Sequence, residues 1–448
     1  MLKDAWALAI ETLNQIELRK LSERLALTQS SRRLGITDSN SIRYAYGLIV
    51  ETERYRNVID KFINNTVKPK TLKEFSVNIQ AFLRLYVYQT RIAKDGEQPS
   101  LEEAVRIANL VRAVIGWRTI RPVEPFLGLL LTRQIKGVMR ESTDEERIAL
   151  QTLHPTWFVK YCFRLFGRNE AISFLQKNIH PPPTFLRLNT LKATQEEIIA
   201  KLNTEGVELE RIEALNYVYK VIDSKRSLSS LTSYDKGLFY IQDKASCFAV
   251  QAANPKSNMT ILDVCAAPGS KTTFLAQLMH NKGVIYSLDY SARRMRTWKQ
   301  ETKWFGTSIA EPIIADVRSN LPINAQGDIV ILDPPCTSTG SFGRQPSAKW
   351  RLTPKSVETM IEIQWLMINN CAESVKPHGF LIYTTCSIMV EENEMIIERF
   401  LKWYPEFHLT EITLQLGSQG LRGLKQCRRF YPHLHESNGA FIAKLKKD

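Results

Sequence analysis

The sequence predicts a multidomain protein in three parts: an all-α bundle over residues 1–145, a small α+β module over 150–235 and an α/β domain over 236–448. Two observations lead to this division. In the first part glycine and proline are scarce and apolar residues recur at helical spacing, whereas in the last part short β-rich runs alternate with helical stretches. In addition, a chain of 448 residues exceeds what one ordinary hydrophobic core accommodates.

The first part is predicted to be helical because its apolar residues fall on single stripes. In the stretch SIRYAYGLIVETERYRNVIDKFI, for example, Ile42, Tyr46 and Ile49 share one face. In the second part, HPTWFVKYCFRLFG has a helical pattern, and HPPPTFLRLNT follows it as a proline-rich turn and a strand. A further helix and two short strands complete a mixture that is typical of a small α+β module.

The third part is predicted to contain a doubly wound, mostly parallel sheet. Helical stretches lie between its β-rich runs, which are TILDVC, GVIYSLD, EPIIADV, DIVILDPP and FLIYTTC. Alternation of this kind indicates parallel strands with helices on both faces of the sheet. In such sheets a ligand binds beyond the carboxyl ends of the strands, so the residues that directly follow a strand are the first candidates for function.

An excess of basic residues is the main feature of the composition. The chain has 60 Lys and Arg residues against 46 Asp and Glu residues, a formal net charge of +14. Such a charge suits a polyanionic partner, and nucleic acid is the first candidate. An uninterrupted apolar run of about 18 residues, as a membrane helix requires, is missing from the sequence, so we expect no membrane segment.

Cysteine usage and the N-terminal residues indicate a cytoplasmic protein with free thiols. Asp4 and Glu11 interrupt the first apolar stretch, which does not fit a secretory signal. The seven cysteines form neither a Cys-x-x-Cys pair nor a Cys/His cluster at zinc spacing. We therefore expect no disulfide framework and no metal site.

The loop DVCAAPGSKTTF, between the first strand of the α/β domain and the helix after it, is a candidate cofactor site. Its small residues let a ligand approach the backbone, and the helix N-terminus offers free N–H groups. A nucleoside triphosphate loop would need a glycine before Lys271 and another at the loop's start, and a dinucleotide loop would need Gly-x-Gly-x-x-Gly. Neither pattern is present. The third candidate cofactor, S-adenosylmethionine, remains, because methyltransferases use the same doubly wound sheet with a looser loop.

Acidic residues close three successive strands of the predicted sheet. Asp289 lies twenty residues after Gly269, where a carboxylate can accept hydrogen bonds from ribose hydroxyls. Asp316 ends the next strand, where an adenine amino group would lie, and Asp333 ends the one after it. A single acid at a strand end is more often a helix cap, but three in series favour a ligand site.

Three motifs of the α/β domain, CAAPGSKT, LDPPCTSTG and YTTCS, together resemble those of the RNA cytosine-5 methyltransferases of the Sun/Fmu superfamily. HPTWFVKY and PPPTFLRLNT are similar to the RNA-binding module that precedes the catalytic domain in that family. FLRLYVYQTRIAKDGEQPSLEEAVRIANLV resembles a NusB-type RNA-binding helical domain, as in the bacterial small-subunit rRNA member. The resemblance covers almost the whole chain. It implies a Rossmann-like methyltransferase domain, S-adenosylmethionine as cofactor, and RNA as partner, with ribosomal RNA favoured over tRNA.

The resemblance also implies a cysteine nucleophile. Cytosine C5 is a poor nucleophile, and a thiolate that adds to C6 gives C5 the electron density to take a methyl group, which yields 5-methylcytosine. From spacing alone either Cys336 or Cys386 can attack, because both follow strands beside Thr or Ser. A cysteine after Pro-Pro attacks in the DNA cytosine-5 enzymes. In the RNA family the Thr-Cys cysteine attacks and the Pro-Cys cysteine assists release, so we assign Cys386 as nucleophile and Cys336 as release partner.

Further site residues follow from the same motifs. Lys271 can supply a positive field for the thiolate, and Asp333 can hold the N3/N4 edge of the cytosine. The expected cofactor contacts are Cys265, Ala266, Ala267, Pro268, Gly269, Ser270, Lys271, Asp289, Arg294, Asp316 and Asp333. The expected RNA contacts, which are mostly basic or aromatic, are Arg187, Asn189, Arg344, Lys349, Trp350 and Arg351. Ser270 and Ser338 stand where the family usually has glycine, and we expect both loops to be kept because serine is small.

Two other functions remain open at this point. A P-loop nucleoside triphosphatase is opposed by Ser270 and by the missing first glycine. A non-catalytic RNA-binding protein built on a NusB-like bundle would leave both cysteines as buried structural thiols, which is the usual fate of free cysteine.

Overall fold

The computed structural model describes residues 1–93, 101–135, 137, 142–319 and 321–448. By their internal contacts these residues fall into two compact units. The first consists of Met1–His180 and Phe342–Arg351, and the second of Pro181–Ser341 and Leu352–Asp448. Within the described part of the chain, no helix has the length and apolar character needed to cross a membrane.

The first unit is helical, as predicted. The helices that precede residue 152 bury one face each around a shared core that includes Trp6, Leu13, Ile49, Phe62 and Phe82. The helices are α1 (Leu2–Arg19), α2 (Glu23–Leu34), α3 (Ser39–Arg54), α4 (Arg56–Thr66), α5 (Val77–Val87), α6 (Leu101–Ile115), α7 (Trp117–Ile120), α8 (Glu124–Thr132), α9 (Asp144–Gln151), α10 (Thr156–Phe166), α11 (Arg168–Lys177) and the short α17 (Ala348–Arg351). Helices α10 and α11, which the sequence assigned to the second module, thus lie in this unit.

The second unit begins with the small α+β module. Its sheet has the order β2-β3-β1-β4 with antiparallel neighbours, and α12 packs on it through Ile198 and Leu202. The elements are β1 (Phe185–Leu188), α12 (Gln195–Thr204), β2 (Val207–Arg211), β3 (Val218–Ser224), α13 (Thr232–Asp235) and β4 (Phe239–Ile241). All four residues of β1 are buried, because both faces of this strand are covered.

The α/β domain follows with a mixed sheet of order β11-β12-β13-β9-β8-β5-β6-β7, and β10 also pairs with β13. Strands β9, β8, β5, β6 and β7 run parallel, and β13 is antiparallel to β9. The strands are β5 (Thr260–Val264), β6 (Val284–Asp289), β7 (Ala310–Ile314), β8 (Gly327–Leu332), β9 (Val375–Thr385), β10 (Phe407–Leu409), β11 (Ser418–Gln419), β12 (Arg428–Phe430) and β13 (Ala440–Lys447). The helices are α14 (Lys244–Ala253), α15 (Ser270–Leu278), α16 (Ala292–Phe305), α18 (Pro354–Ala372), α19 (Glu394–Trp403) and α20 (Pro432–His435).

Alternate residues of the central strands face opposite sides of this sheet. Ile329 and Ile331 of β8 pack with α14 and α15, whereas Val330 and Leu332 pack with α18 and α19. The near-continuous apolar strands are therefore buried on both faces. The predicted doubly wound, mostly parallel sheet is confirmed, and its parallel strands direct their carboxyl ends to one edge.

Candidate active site

The two cysteines of the Pro-Pro-Cys and Thr-Thr-Cys motifs meet at the carboxyl edge of the sheet. Strands β8 and β9 are parallel neighbours, with Leu332 paired to Tyr383. The loops that follow them bring the sulfur of Cys336 to 3.2 Å from the sulfur of Cys386. The two cysteines are fifty residues apart in sequence, and the pairing of β8 with β9 brings them together in space.

A close backbone approach holds the two loops together. The N–H of Gly340 donates to the carbonyl of Cys386 at 3.1 Å, and the N–H of Gly439 donates to the carbonyl of Gly340 at 2.8 Å. A Cβ atom at Gly340 would lie 2.2 Å from the carbonyl oxygen of Gly439. Only glycine fits this position, since any side chain would separate the loops.

The contact between the thiols makes them chemically unequal. The hydrogen bond from the Cys336 thiol lowers the pKa of Cys386 below its usual value, although burial opposes this. The same hydrogen bond, together with burial, raises the pKa of Cys336 well above its usual value. An ionised Cys386 would thus accept the hydrogen bond from a protonated Cys336.

Ser338, one of the two departures from the family pattern, lies against the same thiol. Its backbone is in the left-handed region, with φ of 55°, which glycine adopts without strain. Its hydroxyl oxygen is 3.3 Å from the sulfur of Cys386, and this contact further lowers the pKa of Cys386. The loop is kept, as expected, and the serine adds a polar contact that glycine cannot make.

Lys271 and Asp333 form an ion pair beside the thiols. Lys271 is the second residue of α15, Asp333 follows β8, and the ammonium nitrogen donates directly to a carboxylate oxygen. Burial opposes the charged form of Lys271, but the adjacent Asp333 carboxylate raises the pKa of Lys271 above its usual value. Cys386 adds to this effect, so the ammonium and a Cys386 thiolate stabilise each other. The structure therefore brings together all four residues that the sequence analysis selected for catalysis.

The candidate cofactor loop turns between β5 and α15. Gly269 has a φ of 118°, and a Cβ atom there would lie 3.2 Å from the Trp298 ring. The side chains of Ala266 and Ala267 are buried, and the N–H of Ala266 donates to Leu288 in β6 at 2.9 Å. The loop thus keeps its backbone close to the sheet edge and leads directly into the first turn of α15.

Asp263 is a buried acid of this loop region that the sequence analysis missed. It lies in β5, is 1% exposed, and accepts a hydrogen bond from the Thr272 hydroxyl at 2.5 Å. Burial raises the pKa of Asp263 to about 6. Its other oxygen is buried without a hydrogen-bond partner among the described residues. The available signal was a carboxyl group inside the apolar run TILDVC, where a charged side chain is costly to bury.

The acids at the end of β6 and just after β7 are both paired with arginine. The buried Asp289 lies 2.9 Å from one terminal guanidinium nitrogen of Arg294, and the other terminal nitrogen donates to the carbonyl of Ala267 in the loop. Arg294 therefore connects the β6 end to the cofactor loop. Asp316 pairs with Arg318 at 2.6 Å, and hydrogen bonds from Arg318 lower the pKa of this exposed acid.

Two of the expected RNA contacts are buried in the second unit, and the RNA-binding expectation for them is wrong. Arg187 in β1 is 1% exposed; it donates to the Thr273 hydroxyl at 2.8 Å and to the Ser270 carbonyl at 3.3 Å. Asn189 is 2% exposed and donates to the carbonyls of Gly237 and Phe305. Both side chains instead fasten the small module to the α/β domain.

The segment from Phe342 to Arg351, also expected to contact RNA, packs inside the first unit. Lys349 is fully buried and donates to the Leu153 carbonyl at 2.7 Å. Burial lowers the pKa of Lys349 to about 7. Trp350 and Arg351, which are half-buried, donate to backbone carbonyls of Glu53 and of residues 20 and 21. For these three residues the expectation is corrected, and Arg344 alone of this segment stays a candidate RNA contact.

Arg187→Ala is expected to destabilise the protein by about 2–4 kcal/mol, because it removes buried hydrogen bonds and leaves a cavity. The dependence of RNA affinity on salt should stay unchanged. A lost phosphate contact would instead reduce the slope of log K against log salt by about 0.7 for single-stranded RNA. Urea unfolding and filter binding at several salt concentrations measure the two effects, with the exposed Arg226→Met as control for the lost charge. A reduced slope with unchanged stability would contradict the structural role.

Comparison with known protein families agrees with this arrangement of parts. Residues 250–446 match the family model of the 16S rRNA methyltransferase RsmB/F. Residues 154–220 match the ferredoxin-like domain of RsmF/B-like methyltransferases, and residues 3–113 match the NusB family. A protein of Synechocystis sp. named "Probable ribosomal RNA small subunit methyltransferase B" is 31% identical, over 68% of this chain and 69% of its own length. The chain belongs to the RsmB/F family.

Two further proteins match this RsmB/F family member over 98% or more of its length. A Bacillus subtilis protein, also named "Probable ribosomal RNA small subunit methyltransferase B", is 28% identical over 98% of each chain. The crystal structure of PH0851 matches with a TM-score of 0.85 and 29% identity, covering 100% of this chain and 99% of that one. The order of a NusB-like bundle, a ferredoxin-like module and a Rossmann-like methyltransferase domain is therefore shown. Within the described residues, no group of three or more His, Cys, Asp or Glu could hold a metal ion.

Proposed function

We propose that this chain uses S-adenosylmethionine to form 5-methylcytosine in small-subunit ribosomal RNA, through a covalent bond between Cys386 and cytosine C6. The observation that carries the proposal is the pair of thiols 3.2 Å apart, next to the Lys271–Asp333 ion pair. Membership of an RNA methyltransferase family supports the reaction class. Relatives that match at 28% and 31% identity and are named for small-subunit ribosomal RNA support the choice of substrate.

The first step is addition of the Cys386 thiolate to C6 of the cytosine. The new bond uses a sulfur electron pair, and the electrons of the C5–C6 double bond move toward C5 and N3. The lowered pKa of Cys386 supports this role, because it increases the fraction present as thiolate. Lys271 stabilises the thiolate before attack through its positive charge.

Asp333 is the candidate for contact with the N3/N4 edge of the cytosine. Its side chain is 32% exposed, so part of the carboxylate remains accessible beside the thiols. In this position it accepts a hydrogen bond from the amino group and holds that edge of the ring in place while negative charge develops toward N3. S-adenosylmethionine, when bound, supplies an electrophilic methyl group to C5.

Release requires that the C5 proton is removed and that the bond between C6 and sulfur breaks. The electrons of the C5–H bond then restore the C5–C6 double bond, and the sulfur of Cys386 leaves as a thiolate. Cys336 is proposed as the base. Once Cys386 is bound to the ring, its sulfur no longer accepts the hydrogen bond from Cys336. Cys336 then loses its own proton to water, and the resulting thiolate accepts the proton from C5.

The residues around the loop after β5 fit S-adenosylmethionine. The side chains of Ala266 and Ala267 are small, and no side chain of the N-cap residue caps the N–H groups in the first turn of α15, as a ligand that accepts from these groups requires. Asp289 offers a buried carboxylate at the next strand end, oriented by Arg294. These features support the predicted contacts from Cys265 to Lys271 and at Asp289 and Arg294. Asp316, whose side chain is 40% exposed, is paired with Arg318.

Asp289→Ala is expected to weaken binding of S-adenosylmethionine by about 1.5–3 kcal/mol, the range for a hydrogen bond to a charged group. The loss follows because ribose hydroxyls would lose their acceptor, and Arg294 would lose its partner. Isothermal titration calorimetry of the full chain measures the effect. Glu311→Ala, which removes an exposed acid of β7, is the control and should bind like the wild type. Equal affinity for Asp289→Ala and wild type would contradict the assignment.

Bisulfite sequencing of total RNA from cells with and without the gene tests the proposed substrate. We expect one cytosine of the small-subunit rRNA to be protected only when the gene is present. Protection that moves to a tRNA would favour that substrate with the same chemistry. No change at any cytosine would favour an RNA-binding protein without catalysis.

A further inference from the structure

The loops that carry the two thiols share a buried carboxylate, that of Glu392. This residue follows the Thr-Thr-Cys motif by six positions and is fully buried. Thr337, directly after Cys336, donates its N–H to one carboxylate oxygen at 2.9 Å. The hydroxyl groups of Thr337 and of Ser387, directly after Cys386, both donate to the other oxygen. One side chain therefore binds the neighbour of each cysteine.

Helix α18 completes this arrangement. The amide nitrogen of Gln364 in α18 donates to Glu392 at 2.9 Å and to the carbonyl of Pro335 at 3.0 Å. Pro335 directly precedes Cys336, so the Cys336 loop is bound on both sides of the thiol. The hydroxyl of Tyr383 in β9 donates to the backbone carbonyl of Glu392 at 2.7 Å. Glu392 is thus fixed by the two cysteine loops, one strand and one helix.

The number of donors indicates that Glu392 holds the loops as a hydrogen-bond acceptor. Its two oxygens accept from a backbone N–H, an amide and two hydroxyls. Burial raises the pKa of Glu392, while the hydrogen bonds from Ser387, Thr337 and Gln364 oppose this shift. Without the Glu392 carboxylate, four buried donors would each lose a hydrogen-bond acceptor, and each loss would destabilise the fold.

We propose that Glu392 is a positioning residue that sets the separation and orientation of the Cys336 and Cys386 thiols. This inference rests on the function proposed above, because it assigns the residue a task in that reaction. Glu392 does not touch the reacting atoms. It acts through Thr337 and Ser387, and a displacement of about 1 Å in reacting groups can cost about 100-fold in rate.

The test compares two replacements of Glu392 that separate its geometry from its charge. Glu392→Ala removes the bridge. Glu392→Gln keeps it, because the amide oxygen can accept from Thr337 N–H and Gln364 while the amide N–H₂ group faces two hydroxyls that can rotate to accept. Glu398→Gln on α19 is the control for loss of a charge; its partner is the exposed Arg422.

The first readout does not depend on catalysis. Diamide oxidises two adjacent thiols to a disulfide and is itself reduced to the hydrazine, and peptide mass spectrometry identifies the bond between Cys336 and Cys386. We expect rapid formation in the wild type, Glu392→Gln and Glu398→Gln. In Glu392→Ala the rate should fall about tenfold or more, because disulfide formation requires a defined geometry. Loss of the negative charge of Glu392 favours ionisation of the nearby thiols, so this electrostatic effect alone would raise the rate of disulfide formation.

The second readout is methylation. We expect Glu392→Ala to lose about 100-fold in kcat with unchanged affinity for S-adenosylmethionine, and Glu392→Gln to restore most of the rate. If Glu392→Ala does not fold, the double variant Thr337→Val and Ser387→Ala removes both hydroxyl contacts and should slow disulfide formation in the same direction. Wild-type disulfide rates in Glu392→Ala, or in the double variant, would overturn the inference. If Glu392→Ala slows disulfide formation but the wild-type protein itself methylates no RNA, the inference on geometry holds and the proposed function is wrong.

Discussion

Cys386→Ala protein is expected to methylate no RNA and to form no covalent complex with it. The side chain of Cys386 supplies the electron pair that activates C5, and no other thiol of the site has a lowered pKa. Cys336→Ala is expected to fail at the opposite end of the reaction. Addition and methyl transfer should proceed, but the protein should remain bound to its RNA because the base that removes the C5 proton is missing.

This asymmetry separates a chemical role from a folding role. Both thiols are partly accessible and their sulfur atoms are 3.2 Å apart, so simple unfolding would affect both variants alike. A denaturing gel with labelled RNA and S-adenosylmethionine measures the covalent complex as a band that survives heat and detergent. Cys371→Ala, a buried thiol of α18, is the matched control and should show neither defect. A trapped band from Cys386→Ala would reverse the two roles.

Arg429→Met is expected to destabilise the protein by about 3–5 kcal/mol, because it leaves the carboxylate of Glu394 buried without its partner. The two side chains are 1% and 0% exposed. Arg429 also donates to the carbonyl of Ile388 in the Cys386 loop at 3.0 Å, and Glu394 accepts from the N–H of Leu421. The pair therefore holds the start of α19 against β12, next to the catalytic loop.

Urea unfolding of the full chain measures this effect, and hydrogen exchange of the α19 amides locates it. Arg422→Met is the matched control, because Arg422 pairs with Glu398 on the same helix but is 49% exposed. Exposed pairs contribute about 1 kcal/mol or less. Equal unfolding midpoints for Arg429→Met and Arg422→Met would show that the buried pair is not needed for stability.

Sequence reasoning located the candidate site well where short-range rules apply. Strand and helix patterns with turn residues placed Asp289, Asp333, Cys336 and Cys386 directly after strands, and parallel strands must end at one edge. The sheet then determined which ends are neighbours. The pairing of β8 with β9 follows from a crossover through α18, so the contact between the two thiols was implied by the topology although spacing could not assign their roles.

The RNA contacts were predicted less well, because burial of a long basic side chain depends on distant partners. The sequence around Lys349 is basic and aromatic, yet its ammonium group donates to the Leu153 carbonyl, 196 residues away in sequence. Arg187 is stacked between Phe274 and Tyr240, at 4.7 and 5.2 Å from the ring centroids. Aliphatic and planar parts of such side chains pack well in an interior, and local patterns do not distinguish this from a nucleic-acid surface.

Glu392 shows the same limit for acidic residues. In the charged and polar run EENE, the side chains of Glu392, Asn393 and Glu394 are all fully buried. Their partners include the hydroxyl groups of Thr337, Thr385 and Ser387 beside the two cysteines and the guanidinium of Arg429. Threonine and serine next to both cysteines were the available signal, because buried hydroxyl groups require acceptors.

Mapping of the cysteine that bonds to RNA tests the central claim most directly. Wild-type protein is incubated with S-adenosylmethionine and RNA that carries 5-fluorocytidine. A base cannot remove the fluorine from C5 in the way that it removes a proton, so the adduct persists. Digestion and mass spectrometry then identify the peptide that carries the nucleotide, with both cysteines present. We predict that the nucleotide is attached to Cys386. Attachment to Cys336, or the absence of any adduct with an RNA that the protein methylates, would contradict the account.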